Sequence, residues 1–112
     1  MQITTARHAH VTVVAVAGSI DALTADTLTA RFGEEVLSGN PRLVADFEGV
    51  EYTSSAGLRV LLAAVKAARQ QGGDLRLAAV RAPVLRVLEL SGFTSILKCY
   101  ADVPSAVASF LG

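Results

Sequence analysis

Residues Tyr52 to Leu62 read YTSSAGLRVLL, two adjacent serines and a glycine at the mouth of an apolar run. Leu58, Leu61, Leu62 and Val65 recur at i, i+3, i+4 and i+7, while Arg59, Lys66 and Gln70 fall towards the other side. This is the pattern of an amphipathic helix, and it predicts one from about Ala56 to Gln71, stopped by Gly72 and Gly73 and started at Ser54 and Ser55. RLVADF before it, Arg42 to Phe47, reads as a continuous apolar strand covered on both faces; DLRLAAV after it, Asp74 to Val80, alternates like a strand. Strand, helix, strand is the unit from which parallel sheets are assembled.

The pattern extends in both directions. VTVVAVA, Val11 to Ala17, is β-branched and closed by Gly18, which predicts a buried strand with QITTARH, Gln2 to His8, as its hairpin partner. Ala25, Leu28, Phe32 and Val36 keep helical spacing, with Thr24 placed to cap them, Asp26 in the first turn and SGNP, Ser38 to Pro41, as the stop. Gly33 weakens this helix without breaking it. Pro83 suits the first turn of a further helix closed by Gly92; SILKCY, Ser95 to Tyr100, reads as a last strand. Asp102 to Leu111 then supplies a short helix with Val103, Val107 and Phe110 on one face. The expectation is an α/β fold: a largely parallel sheet packed with helices and entered through a hairpin, forming a single domain over residues 1–112.

Composition narrows the function. A chain of 112 residues, 52% hydrophobic and 18% charged, suffices for one compact core. Formal net charge is +0, basic residues are scattered and aromatics are 5%, so neither a nucleic acid nor an anionic membrane finds an evident footing. Lone Cys99 excludes an internal disulfide and an all-cysteine zinc site, and suits a reducing compartment. MQITTARHAH lacks the features of a signal peptide, and Lys66 and similar breaks keep apolar runs below the ~20 residues of a membrane span; the expected location is cytoplasmic, without membrane insertion. His8 and His10, two apart, would share one side of a strand, but no further ligands complete a metal site. The serine hydrolase elbow is G-x-S-x-G, and neither Tyr52 nor Thr53 supplies its first glycine. No phosphate-binding loop is present, so no cofactor is expected and any ATP must be held by a partner.

Ser54 and Ser55 have two uses at a helix start. One hydroxyl can cap the helix, a role worth ~1 kcal/mol. Alternatively, orphan N–H groups and the positive end of the helix dipole make the position hospitable to an anion. A phosphate esterified there would add roughly −1.5 to −2 charges without unfolding the chain.

VEYTSSAGLRVLL resembles the signature of STAS domains, particularly the single-domain anti-sigma-factor antagonists. GSIDALTA, Gly18 to Ala25, is similar to that family's G-x-[LI]-D-x-x-[TS]-A segment, LVADFEGV to its central strand with Asp46 near the end, and LSGFTSIL to a segment near its carboxyl end. The resemblance covers essentially the whole chain. It implies a mixed sheet of four or five strands with a parallel centre, packed with about four helices. In that family the serine two residues before the motif glycine is phosphorylated by an anti-sigma factor with serine-kinase activity. Counting back from Gly57 gives Ser55, with Ser54, which replaces the usual acid, as the alternative. The resemblance implies a non-enzymatic switch that binds an anti-sigma factor when unphosphorylated and is released by phosphorylation, with a possible phosphoserine phosphatase to reset it. Its partner face would comprise Asp21, Thr53, Ser54, Ser55, Gly57, Leu58 and Arg59, with Asp46 structural. The alternatives are a STAS regulatory or scaffold module of a transport or other multiprotein assembly and, less favoured, a serine hydrolase.

Overall fold

The computed structural model describes residues 1–111. Five strands form one sheet in the order β1-β2-β3-β4-β5: β1 Gln2–His8, β2 Val11–Ala17, β3 Arg42–Gly49, β4 Asp74–Ala78 and β5 Cys99–Tyr100. β1 and β2 are antiparallel, and every later pairing is parallel. The sheet is mixed with a parallel centre, as expected. Helices α1 (Ala25–Leu37), α2 (Ser55–Gln70) and α3 (Ala82–Leu90) are the crossovers; α4 (Val103–Leu111) follows the last strand.

Strands added in chain order, each through a crossover of one hand, must place all the crossover helices on one face. The main core accordingly joins Leu28 and Phe32 of α1, Leu61 of α2 and Leu88 of α3 to Val14, Leu43 and Leu75 of the sheet. The other face is left for α4, where Ala106 packs on Val11, Val13, Val44 and Ala78. Alternation within each strand divides the two sets: Leu43 and Ala45 face the crossovers, Val44 faces α4.

α4 is held by charge as well as by area. Asp74, 8% exposed, accepts from its neighbour's amide (Leu75 N, 3.0 Å), from Arg69 Nε (2.9 Å) and from Arg76 Nε (3.1 Å). Arg76 then donates to Ser109 Oγ at 2.8 Å and lays its guanidinium 4.0 Å from the Phe110 ring centroid, while Arg69 donates to Ile96 O at 2.7 Å. One carboxylate thus ties α2, β4, the approach to β5 and α4 together. Asp102 caps α4 by accepting from Ser105 N at 2.8 Å, and the Ser105 hydrogen bonds hold its carboxyl below the ordinary aspartate range. That contribution is present above the ordinary value and is lost as pH falls through the depressed one.

Three details depart from the sequence reading. The last strand is Cys99–Tyr100, not Ser95–Tyr100: Gly92 turns left-handed at φ 76, Phe93–Ser95 winds into a 3-10 turn, and Leu97 is spent filling the core. Thr24 makes no side-chain cap to α1. The histidines do not share a strand face, because β1 stops at His8 and His10 lies in the hairpin turn beside Ala9, whose φ is 57.

Of the glycines that mark close approaches, two lie near the carboxyl end of β3. A Cβ on Gly49 would stand 2.8 Å from the Ala17 Cβ, where β2 and β3 shift register. A Cβ on Gly57 would be driven into Thr53 Oγ1 and to 2.8 Å from Ile20 Cγ2, so α2 can lie against those residues only with hydrogen at that position. Gly33, in the middle of α1, faces open space.

These environments predict opposite signs for one chemical change. Gly57→Ala overpacks and should cost about 1–3 kcal/mol, whereas Gly33→Ala should gain roughly 0.5–1 kcal/mol by removing helix-interior glycine; urea unfolding of both variants checks the pair. Asp74→Ala leaves two guanidinium groups without their shared acceptor and should cost about 2–3 kcal/mol in the same assay, below the ~3–5 of a fully buried pair because Arg69 reaches water.

Candidate functional site

Two loops at the carboxyl end of the parallel strands build the site. The β2–α1 loop runs from Gly18 to Thr24, and the β3–α2 loop from Val50 to Ser54. They are stitched by a parallel bridge between Ile20 and Thr53: Ile20 N donates to Tyr52 O at 2.9 Å, and Ser54 N donates to Ile20 O at 2.8 Å. Ile20 is fully buried and Thr53 is 4% exposed, so the stitch is anchored in the core. Beneath it lies Gly57, which lets the first turn of α2 reach the Thr53 hydroxyl.

The two serines have different tasks. Ser54 is extended (φ −91, ψ 177), and its Oγ accepts from Ala56 N at 3.2 Å, the arrangement of an N-cap. Its carbonyl accepts from Leu58 N at 3.3 Å, closing the first helical turn, and also from the Thr53 hydroxyl at 3.2 Å. Ser55 is the first residue of α2, is exposed, and takes no part in the capping. The helix brings no acidic residue in its first turn, so nothing there offsets the positive end of its dipole.

Asp21 begins the turn into α1. Its Oδ1 accepts from Leu23 N at 2.9 Å and Thr24 N at 3.1 Å, and its carbonyl accepts from Ala25 N at 2.9 Å. Thr24 answers by accepting from Asp21 N at 3.0 Å and donating to Ser19 O at 3.1 Å. Aspartate therefore orders the turn that leads into α1, three residues before the position at which threonine is expected to cap the helix.

The remaining sites fall as follows. Ser54, Ser55 and Asp21 are gathered along the stitched loops, with Arg59 exposed on α2. Arg59 shares a shallow depression with Ala22, Asp26 and Ala56 between the first turns of α1 and α2. Leu58 is half-buried and packs on the main core. Thr53 and Gly57, expected on the partner face, are buried instead and act by positioning the loops. Asp46 accepts from Glu48 N at 3.1 Å, a strand-end role. What sequence reasoning missed is Leu23 and Tyr52, 90% and 55% exposed on the same two loops; no periodicity distinguishes an outward-facing loop leucine from a core one.

This arrangement can accept an anion and present a surface, and it brings no histidine to the serines. Both histidines of the chain lie at the hairpin end of β2, across the length of that strand from the serine loop. Among the described residues, no helix is long and apolar enough to cross a membrane.

Comparison with known proteins agrees with the geometry. The chain is 38% identical over 93 residues to BtrV of Bordetella bronchiseptica, a candidate anti-sigma factor antagonist, covering 83% of this chain and 80% of that protein. It is 28% identical over 108 residues to an anti-sigma F factor antagonist of Paenibacillus polymyxa, covering 96% and 92%. A crystal structure of an anti-sigma factor antagonist from Mycobacterium paratuberculosis superposes with a TM-score of 0.87 at 29% identity, covering 96% and 92%. The STAS domain model matches residues 2–106, and with the sheet order, the stitched loops and the serine-capped α2 already in place, the chain belongs to the STAS domain family.

Proposed function

We propose that this protein is an anti-sigma factor antagonist whose binding is switched by phosphorylation of Ser55. One observation carries the reading: of two adjacent hydroxyls at the start of α2, the Ser54 hydroxyl is consumed as the cap and Ser55 is left exposed. The antagonist relatives, each matched over most of its length, support the choice of partner.

The partner is an anti-sigma factor with serine-kinase activity, which holds the ATP and magnesium that this chain has no loop to hold. Ser55 Oγ attacks the γ-phosphorus; a P–O bond forms to serine, the bond to the β-phosphate bridge breaks, ADP leaves, and the hydroxyl proton passes to a base on the kinase. A phosphatase would reverse the state by hydrolysing the ester to serine and inorganic phosphate. The protein performs no chemistry on a substrate of its own, and its workplace is the cytoplasm.

Binding and release follow from unequal tolerance of charge. Within the chain, the phosphate sits at the amino end of a 16-residue helix, where N–H groups and dipole accept it. At an interface formed around a neutral hydroxyl, the same group is bulky, strongly hydrated and without prepared partners, so docking is lost. The switch changes the surface and spares the core.

Incubation with the serine-kinase anti-sigma factors of the host, ATP and magnesium should place one phosphate on the wild-type chain, located by mass spectrometry of peptides. Ser55→Ala should abolish modification while keeping the fold and the contact with the anti-sigma factor. Ser54→Ala should still be modified and should lose about 1 kcal/mol of stability with its cap. Phosphate appearing on Ser54 in the wild type, or persisting in Ser55→Ala, would reject the assignment.

A further inference from the structure

Six large apolar side chains stand exposed among the described residues. Met1 is at the amino end, and Leu37, Leu90 and Leu111 are the last residues of α1, α3 and α4, where single apolar side chains in water need no explanation. Leu23 and Tyr52 are different: both occupy the loops that the Ile20–Thr53 bridge fastens together beside Ser55.

The Leu23 turn is ordered by its own polar groups. Asp21 Oδ1 takes the amides of Leu23 and Thr24, and the Thr24 hydroxyl donates to Ser19 O. Those polar side chains are used internally, and what the fixed backbone presents to water is leucine. Tyr52 is held by its carbonyl, which accepts from Ile20 N, while its ring, apolar with a polar tip, extends outward. Backbone already fixed in place loses little freedom on docking.

Charge identifies what docks there. Although the chain is neutral overall, Asp26, Glu48 and Glu51 lie exposed at this end of the sheet against Arg59 and Arg81. A complementary partner carries an apolar cleft with a basic rim. Ser55 alone is a single hydroxyl and cannot supply the contact area a kinase needs to hold it during transfer.

We propose that Leu23 and Tyr52 are the apolar anchors by which the serine-kinase anti-sigma factor docks on this chain. Asp21 is a positioning residue that holds Leu23 outward and is not a charge contact of its own. This rests on the function proposed above and adds the docking chemistry of the same site.

The test is steady-state phosphorylation by the anti-sigma factor kinase that modifies the wild type, with the chain as varied substrate. Leu23→Ala and Tyr52→Ala should each raise KM about tenfold or more with kcat nearly unchanged, while Leu37→Ala, 90% exposed at the far end of α1, should match wild type. Added salt should raise KM for every variant, since the rims attract. Asp21→Ala should raise KM, and Asp21→Asn, which keeps an accepting oxygen, should restore it. Leu23→Ala and Tyr52→Ala within about twofold of Leu37→Ala would overturn the anchors, and Asp21→Asn behaving like Asp21→Ala would overturn the positioning role. Absence of modification of the wild type by every kinase of the host would instead reject the functional reading, and the named occupant with it.

Discussion

Everything at the carboxyl end of the sheet depends on how closely α2 approaches the Ile20–Thr53 bridge. Gly57 has no side chain, so the first turn of the helix settles against the Thr53 hydroxyl and the buried Ile20. From that contact follow the register of the β3–α2 loop, the extended conformation of Ser54, and the place at which the helix begins. The bridge in turn carries the β2–α1 loop, so Asp21 and Leu23 are fixed relative to Ser55 through backbone hydrogen bonds and not through flexible side chains. A site built this way tolerates change at its surface, because its geometry is set one layer below.

That separation suits a switch. Residues that hold the site are buried: Ile20, Thr53, Gly57. Residues available to a partner are exposed: Ser55, Arg59, Leu23, Tyr52. A phosphate added to the second set meets a helix amino end without an acidic residue in its first turn, so its charge is locally welcome. The Asp74 network does the analogous holding on the remote side, joining α2 to β4 and α4 through two arginines. Local modification therefore need not propagate into the sheet.

Much of this was legible in the residues. β-branched runs at Val11–Ala17 and the helical spacing after Gly57 describe both strand and helix with boundaries within a few positions, because each element buries a face and burial writes a period into the chain. Serine duty was only half legible: YTSSAG marks a helix start, but which hydroxyl caps depends on Ser54 being extended, a property fixed by the bridge to Ile20, thirty-odd residues earlier in the chain. Ile96 and Leu97 look strand-like and lengthen β5 in the sequence, whereas Leu97 is apolar because it fills the core just after a 3-10 turn. Thr24 reads as the cap of α1, but its hydroxyl is spent on the turn that Asp21 orders, and only the turn geometry separates the two uses. The partner face, lacking any periodic constraint, left the faintest trace.

The central claim is that negative charge on Ser55 alters the docking surface and leaves the packed layers unmoved. Amide NMR spectra of the chain before and after stoichiometric phosphorylation of Ser55 test it most directly. The account predicts shifts confined to the two stitched loops and the first turns of α1 and α2, with the amides of β3, β4 and α4 in place. Shifts spreading through those strands and α4, or collapse of the dispersed spectrum, would contradict it.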